Sequence, residues 1–226
     1  MTVLHLADEG EAADVAAFLG RLLHYDRGAA VRLQATGTTL AVFGRPPSFE
    51  VLAIRAARLA KPYENGLDAA LDVTVSAGEL LESVDESAVT LTVPAAVTGP
   101  PWAGVLPPRG GWRPEPGLPA PDALRAMVAA GVAEFRSRTG ELAPELRTRP
   151  ELDRIGREIW TRTVGATRLP VRAVHAAQSL GFLRPASSGE TPLALVSSGA
   201  WLRLRTLYGS IAVRRAGLGA LDVSVR

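Results

Sequence analysis

The chain has 226 residues, 47% of them hydrophobic and 21% charged, with a formal net charge of +2 and no cysteine. It is long and apolar enough to bury a full core, which excludes a disordered polymer. Without cysteine there is no disulfide framework, no thiolate nucleophile and no zinc site of the Cys type.

The opening residues MTVLHLADEG contain neither a basic n-region nor a long apolar h-region. A cytoplasmic protein is therefore expected. Residues 2–6 read as a short strand. Asp8 is a plausible N-cap, and Glu11 completes a capping-box pattern three positions later. A helix follows to about Tyr25, with Ala12, Val15, Ala16, Leu19, Leu22 and Leu23 on one stripe. Segments 30–35, 38–43 and 49–59 carry β-branched and apolar residues. Gly37 and the run Gly44-Arg45-Pro46-Pro47-Ser48 divide them, which predicts an antiparallel meander. Asn65-Gly66 is a turn signal. Segments 71–75 and 89–93 are further strands, with a short helix over 78–84.

Residues 94–120 differ in texture. They hold eight prolines, five glycines, Trp102 and Trp112. The longest uncharged stretch, the 22 residues 87–108, carries five of those prolines. Proline costs roughly 3 kcal/mol in a helix interior, so a membrane helix is excluded. Beyond it, Pro121-Asp122 opens a helix with Leu124, Val128, Val132 and Phe135 on one face. Helices are predicted over 151–164 and from 170 to the C′ glycine Gly181. Segments 193–196, 201–207, 211–214 and 221–225 close the chain as short strands. The fold class is α+β: an antiparallel or mixed sheet with a packed helix, then a helical segment and short C-terminal strands. Three regions are expected: a sheet-plus-helix lobe (1–93), a Pro/Gly/Trp crossover (94–120) and a helix-then-strand lobe (121–226).

The small net charge conceals an asymmetry. Residues 1–93 carry 7 basic and 13 acidic side chains, a balance of −6, and residues 94–226 carry 18 and 10, a balance of +8. The basic residues are arginines except Lys61. Codon usage in G+C-rich DNA explains that bias; bidentate recognition of anions is the functional alternative. The basic end faces nucleic acid, an acidic partner, or the chain's own acidic half.

No catalytic motif stands out. His5, His24 and His175 have no metal-ligand spacing, and no metal or cofactor is expected. The acidic residues Asp72, Glu79, Glu82, Asp85 and Glu86 read as a solvated face. Gly-x-Ser-x-Gly is absent, and Gly217-Leu218-Gly219 reads as a turn. In the crossover, Trp102, Arg109, Trp112 and Arg113 combine stacking surfaces with anion-pairing cations, and Arg45 sits in its own Pro-rich turn. These five residues are the candidate ligand-binding set, lining a cleft between the lobes for a small anionic ligand or a protein segment. The competing reading is a structural crossover whose tryptophans fill a gap. A second hypothesis is a winged-helix-like DNA-binding tail. Arg172, His175 and Gln178 would then face outward on the recognition helix, with Arg203, Arg205, Arg214 and Arg215 on the hairpin. A third is a hydrolase or transferase using scattered carboxylates and His175. Oligomeric state is not encoded in any pattern here.

Stretches such as LHYDRGAAVRLQATGTTLAVFGRPPSFEVLAIRAARLA and LPVRAVHAAQSLGFLRP, with their arginine and alanine usage, resemble lineage-restricted actinobacterial proteins of unknown function. That resemblance implies a soluble cytoplasmic protein and assigns no site residue.

Overall fold

Strand β1 (Val3–His5) leads into helix α1 (Glu9–Tyr25), where the expected cap forms. The Asp8 carboxylate accepts the Glu11 N–H at 2.9 Å. This satisfies a backbone donor that a helix start leaves without a partner. The computed structural model describes residues 2–63, 70–185 and 192–215. The turn at Asn65-Gly66, the turn at Gly217-Leu218-Gly219 and the strand over 221–225 lie outside the described residues.

Strand β2 (Ala30–Gly44) corrects one expectation: the two strands read on either side of Gly37 are a single strand. Gly37 adopts φ +54°, and the pairing register shifts between Gly37 and Thr39. A bulge absorbs one residue without ending the strand, and glycine takes that backbone conformation without steric cost. A single 3₁₀ turn holds Phe49, so the next strand, β3 (Leu52–Tyr63), starts later than predicted. There follow β4 (Leu71–Ser76), α2 (Ala77–Glu82), β5 (Val84–Asp85) and β6 (Thr90–Thr92). The crossover contributes the short β7 (Arg113–Glu115). Helices α3 (Pro121–Gly140), α4 (Arg149–Trp160) and α5 (Val171–Ser179) come next. Strands β8 (Ala194–Ser198), β9 (Trp201–Arg205) and β10 (Ser210–Arg214) complete the described chain. Gly181 takes φ +77° just past α5, as a C′ residue does.

Among the described residues, the strands form two antiparallel sheets. A small one has the order β1-β6-β5, and the large one has the order β4-β2-β3-β10-β9-β8-β7. In the large sheet, β3 pairs with β10, with Ile54 opposite Ser210. Side chains alternate across a strand, so the sheet has two apolar faces. Ala53, Ala57, Leu202, Leu204, Ile211 and Val213 point to the main core with α1 and α5. Leu52, Ile54, Phe43 and Ala212 point the other way and form a second, smaller core.

Among the described residues, one charged group enters the main core. Arg55 is 7% exposed at its side chain and lies between α1, β3 and the β9–β10 turn. It donates to Glu11 at 2.6 Å and to the Tyr208 carbonyl at 2.9 Å, with Asp14 at 3.2 Å. No helix among the described residues is long and apolar enough to cross a membrane.

Candidate functional site

The crossover lies over the second face of the sheet. Trp102 and Leu106 pack on the Phe43, Leu52, Ile54 and Ala212 cluster, and Trp201 of β9 joins them. Arg32 of β2 fastens the crossover down: it bonds Asp72 at 2.7 Å and also donates to the Ala103 carbonyl. The Arg32 guanidinium holds the Asp72 carboxyl below its ordinary range, and Arg109 adds a smaller effect of the same sign.

A depression opens beside this cover, and another, with no crossover residue in its lining, lies at the α4–α5 connection. The first has a volume of about 350 Å³. Trp102 and Trp201 line it, Leu52 and Ala212 give it an apolar floor, and Arg45, Arg214 and Glu50 supply its charge. The second is a basin of about 600 Å³, bounded by the α4–α5 connection and the ends of β9 and β10. Arg168, Arg172, Arg214 and Arg215 line it together with Thr161 and Thr163, and its lining includes no carboxylate among the described residues. Arg214 belongs to both linings. Carboxylates reach the basin's arginines from beyond its walls: Glu115 lies 3.4 Å from Arg168, and Glu50 lies 3.9 Å from Arg172. Glu115 is held below the ordinary carboxyl range, first by the Ser197 hydroxyl and then by Arg168 and Arg215.

Arg45 and Trp102 both line the first depression. Arg109, Trp112 and Arg113 are not among the residues lining it. Trp112 instead covers Arg203, whose guanidinium carbon lies 5.7 Å from the ring centroid. The Trp112 indole N–H donates to the Pro108 carbonyl at 3.1 Å. Arg109 and Arg113 are exposed. Arg203 donates to the Ser210 hydroxyl at 2.8 Å, and burial brings its pKa down to about 10, with Arg205 adding like-charge repulsion. Arg205 and Arg214 are exposed, and Arg215 donates to the Gly199 carbonyl.

On α5 the positions Arg172, His175, Gln178 and Ser179 are the ones left unburied. Val171, Ala173, Val174, Ala176 and Ala177 are buried, so this helix is a core element. Arg172 and His175 are half-buried, and Gln178 is exposed. The His175 ring is 4.4 Å from Trp160 and 5.1 Å from Phe49, centroid to centroid. Its described neighbours are these two rings, and no carboxylate or serine among the described residues bonds to it. Burial holds the imidazole below its ordinary value of 6.5. Folding therefore disfavours the proton. This contribution to stability is intact above pH 6.5 and is lost as pH falls below it towards the folded pKa. His175→Gln is expected to flatten the fall in Tm between about pH 7 and about pH 5. Identical pH profiles for the two proteins would contradict this.

Sequence reasoning missed Trp201 and Arg168. The alternation of Trp201, Arg203 and Arg205 with buried Leu202 and Leu204 was a usable signal for the first. Nothing local distinguishes Arg168.

Two domains of unknown function meet in this chain. Residues 1–104 match the domain of unknown function DUF8010, and residues 107–218 match the domain of unknown function DUF8185. The junction falls within the crossover. No curated protein matches. Among solved structures, the chain is similar to the DNA polymerase sliding clamp from Pseudomonas aeruginosa. For a crystal structure of that clamp with ligand, the TM-score is 0.40 at 12% identity, covering 91% of this chain and 63% of the clamp chain. For a second crystal structure the TM-score is 0.44 at 13% identity, covering 98% and 66%. The chain thus spans less than two thirds of the length of those clamps. Similarity at this level carries no argument about function.

Proposed function

We propose that the protein binds a small, flat anionic ligand in the tryptophan-lined depression. The observation that carries this reading is the joint lining by Trp102, Trp201, Arg45 and Arg214 above the apolar residues Leu52 and Ala212. Convergent polar groups at the border of an apolar pocket are the usual composition of a small-molecule site. The three regions distinguished in the sequence all contribute. Arg45 and Leu52 come from 1–93, Trp102 from 94–120, and Trp201 and Arg214 from 121–226. This supports a ligand held where they meet. The two matched domains fit the reading and add no chemistry to it. An actinobacterial origin rests on arginine and alanine usage alone.

The test uses 8-anilinonaphthalene-1-sulfonate, an aromatic anion, titrated by fluorescence. One saturable site is expected, weakened about tenfold by Arg214→Gln through loss of a charge-assisted bond. Trp102→Ala is expected to weaken it similarly, and to lower Tm without unfolding the protein at room temperature. If Trp102→Ala unfolds the protein, the tryptophan is a structural plug. If both variants bind the probe like the parent, the cavity is not its site.

A further inference from the structure

We infer that the arginine-lined basin is a phosphate-chain site that takes inorganic pyrophosphate or the diphosphate group of a larger molecule. The basin stands apart from the tryptophan depression, with Arg214 common to both linings.

Four arginines converge on the basin. The two nearest carboxylates, Glu115 and Glu50, offset at most two of those charges and leave about +2. A lone carboxylate ligand would leave part of that charge unmatched, whereas a diphosphate carries two or more negative charges and enough oxygens for several guanidinium forks. The site also has unused donor capacity. The Arg172 Nε–H is buried with no hydrogen-bond partner among the described residues. The nearest carboxylate oxygen to this Nε, from Glu50, is 3.9 Å away and beyond hydrogen-bond reach, so the donor side of Arg172 is not committed to that carboxylate. The Thr163 hydroxyl adds a neutral donor. Pro170, the N-cap of the nine-residue α5, lies in the basin wall, so the positive pole of that helix adds to the field.

Glu50 is the regulator of this arrangement. It holds a left-handed backbone (φ 52°, ψ 40°) and lines the neighbouring depression while its carboxylate approaches Arg172. An incoming phosphate competes with that carboxylate for Arg172.

The experiment is isothermal titration of the full chain with inorganic pyrophosphate at low ionic strength, where screening is weak. Saturable 1:1 binding with a Kd below about 1 mM is expected. Arg168→Gln and Arg215→Gln should each weaken it about tenfold. Glu50→Gln should tighten it, a gain that a misfolded variant would not show. Trp102→Ala should leave pyrophosphate binding unchanged, which separates this inference from the ligand reading above. A nucleoside diphosphate distinguishes the two sources. If it binds more tightly than pyrophosphate and Trp102→Ala removes the difference, the chain belongs to an aromatic diphosphate. Equal affinities identify the free anion. Absence of saturable binding, or arginine variants that bind like the parent, overturns the inference. So does displacement of pyrophosphate by a mixed-sequence DNA duplex with a steep salt dependence, which assigns the arginines to nucleic acid.

Discussion

Arg55→Met is expected to lower the free energy of unfolding by about 3–5 kcal/mol, more than any surface change in this protein. The guanidinium is the counter-ion of Glu11, 12% exposed, and of Asp14, 22% exposed. Removing it leaves two acidic groups close together on α1 with reduced access to water. Arg184 still holds Asp14, and Arg58 still holds Glu11, so the loss is not the full cost of isolating two charges. The bond to the Tyr208 carbonyl also goes, which removes a side-chain tie between β3 and the β9–β10 turn. Typical domains are stable by 5–15 kcal/mol. The variant should therefore show a much lower urea midpoint with a similar slope. A shift of under about 1 kcal/mol would mean that the ionic cluster is no stronger than an exposed surface pair.

Phe182→Ala should cost about 3–5 kcal/mol, in the range of aromatic truncations in packed cores. Phe182 is 2% exposed and stacks on Phe18 of α1, centroids 5.7 Å apart. Its far side faces Gly209. A methyl group built there would come within 2.6 Å of the ring. Gly209 thus makes room for the ring, and the ring joins α1 to the chain after α5 and to the β9–β10 turn. Gly209→Val should destabilise from the opposite direction, by overpacking of about 1–3 kcal/mol. Combining the two changes should cost less than their sum, because the small residue at 182 vacates the space that valine needs. Additive losses would show that the contact is not the source of either effect.

The helices were legible because their signals are local. Asp8 and Glu11 mark the start of α1, Pro121 marks the start of α3, and Gly181 marks the exit from α5. The sheet was less legible. Gly37 reads equally well as a strand end and as a bulge until a partner strand fixes the register. The pairing of β3 with β10 joins residues more than 150 positions apart, and no local pattern encodes it. For the candidate site, Trp102 and Arg45 were recognisable from unusual local composition. The separation of Trp112 from Trp102 was not, since it depends on how the crossover is laid across the sheet. The charge asymmetry resolved in both directions. Arg184 reaches Asp14 and Arg172 approaches Glu50 in the acidic segment, whereas Arg162 and Arg168 pair with Glu134 and Glu115 of their own segment.

The pairing of β3 with β10 also orders events at the ribosome. β3 is made early, and its partner is the last described strand. At roughly 5–20 residues per second, a gap of about 150 residues leaves one edge of β3 uncovered for roughly 8–30 s. An open strand edge invites pairing with other chains, and charged side chains are a common guard against it. β3 carries Arg55, Arg58 and Lys61, the chain's sole lysine. In the nascent chain, before α1 and β10 are both in place, these three cations make the waiting strand a poor template for its neighbours on a polysome.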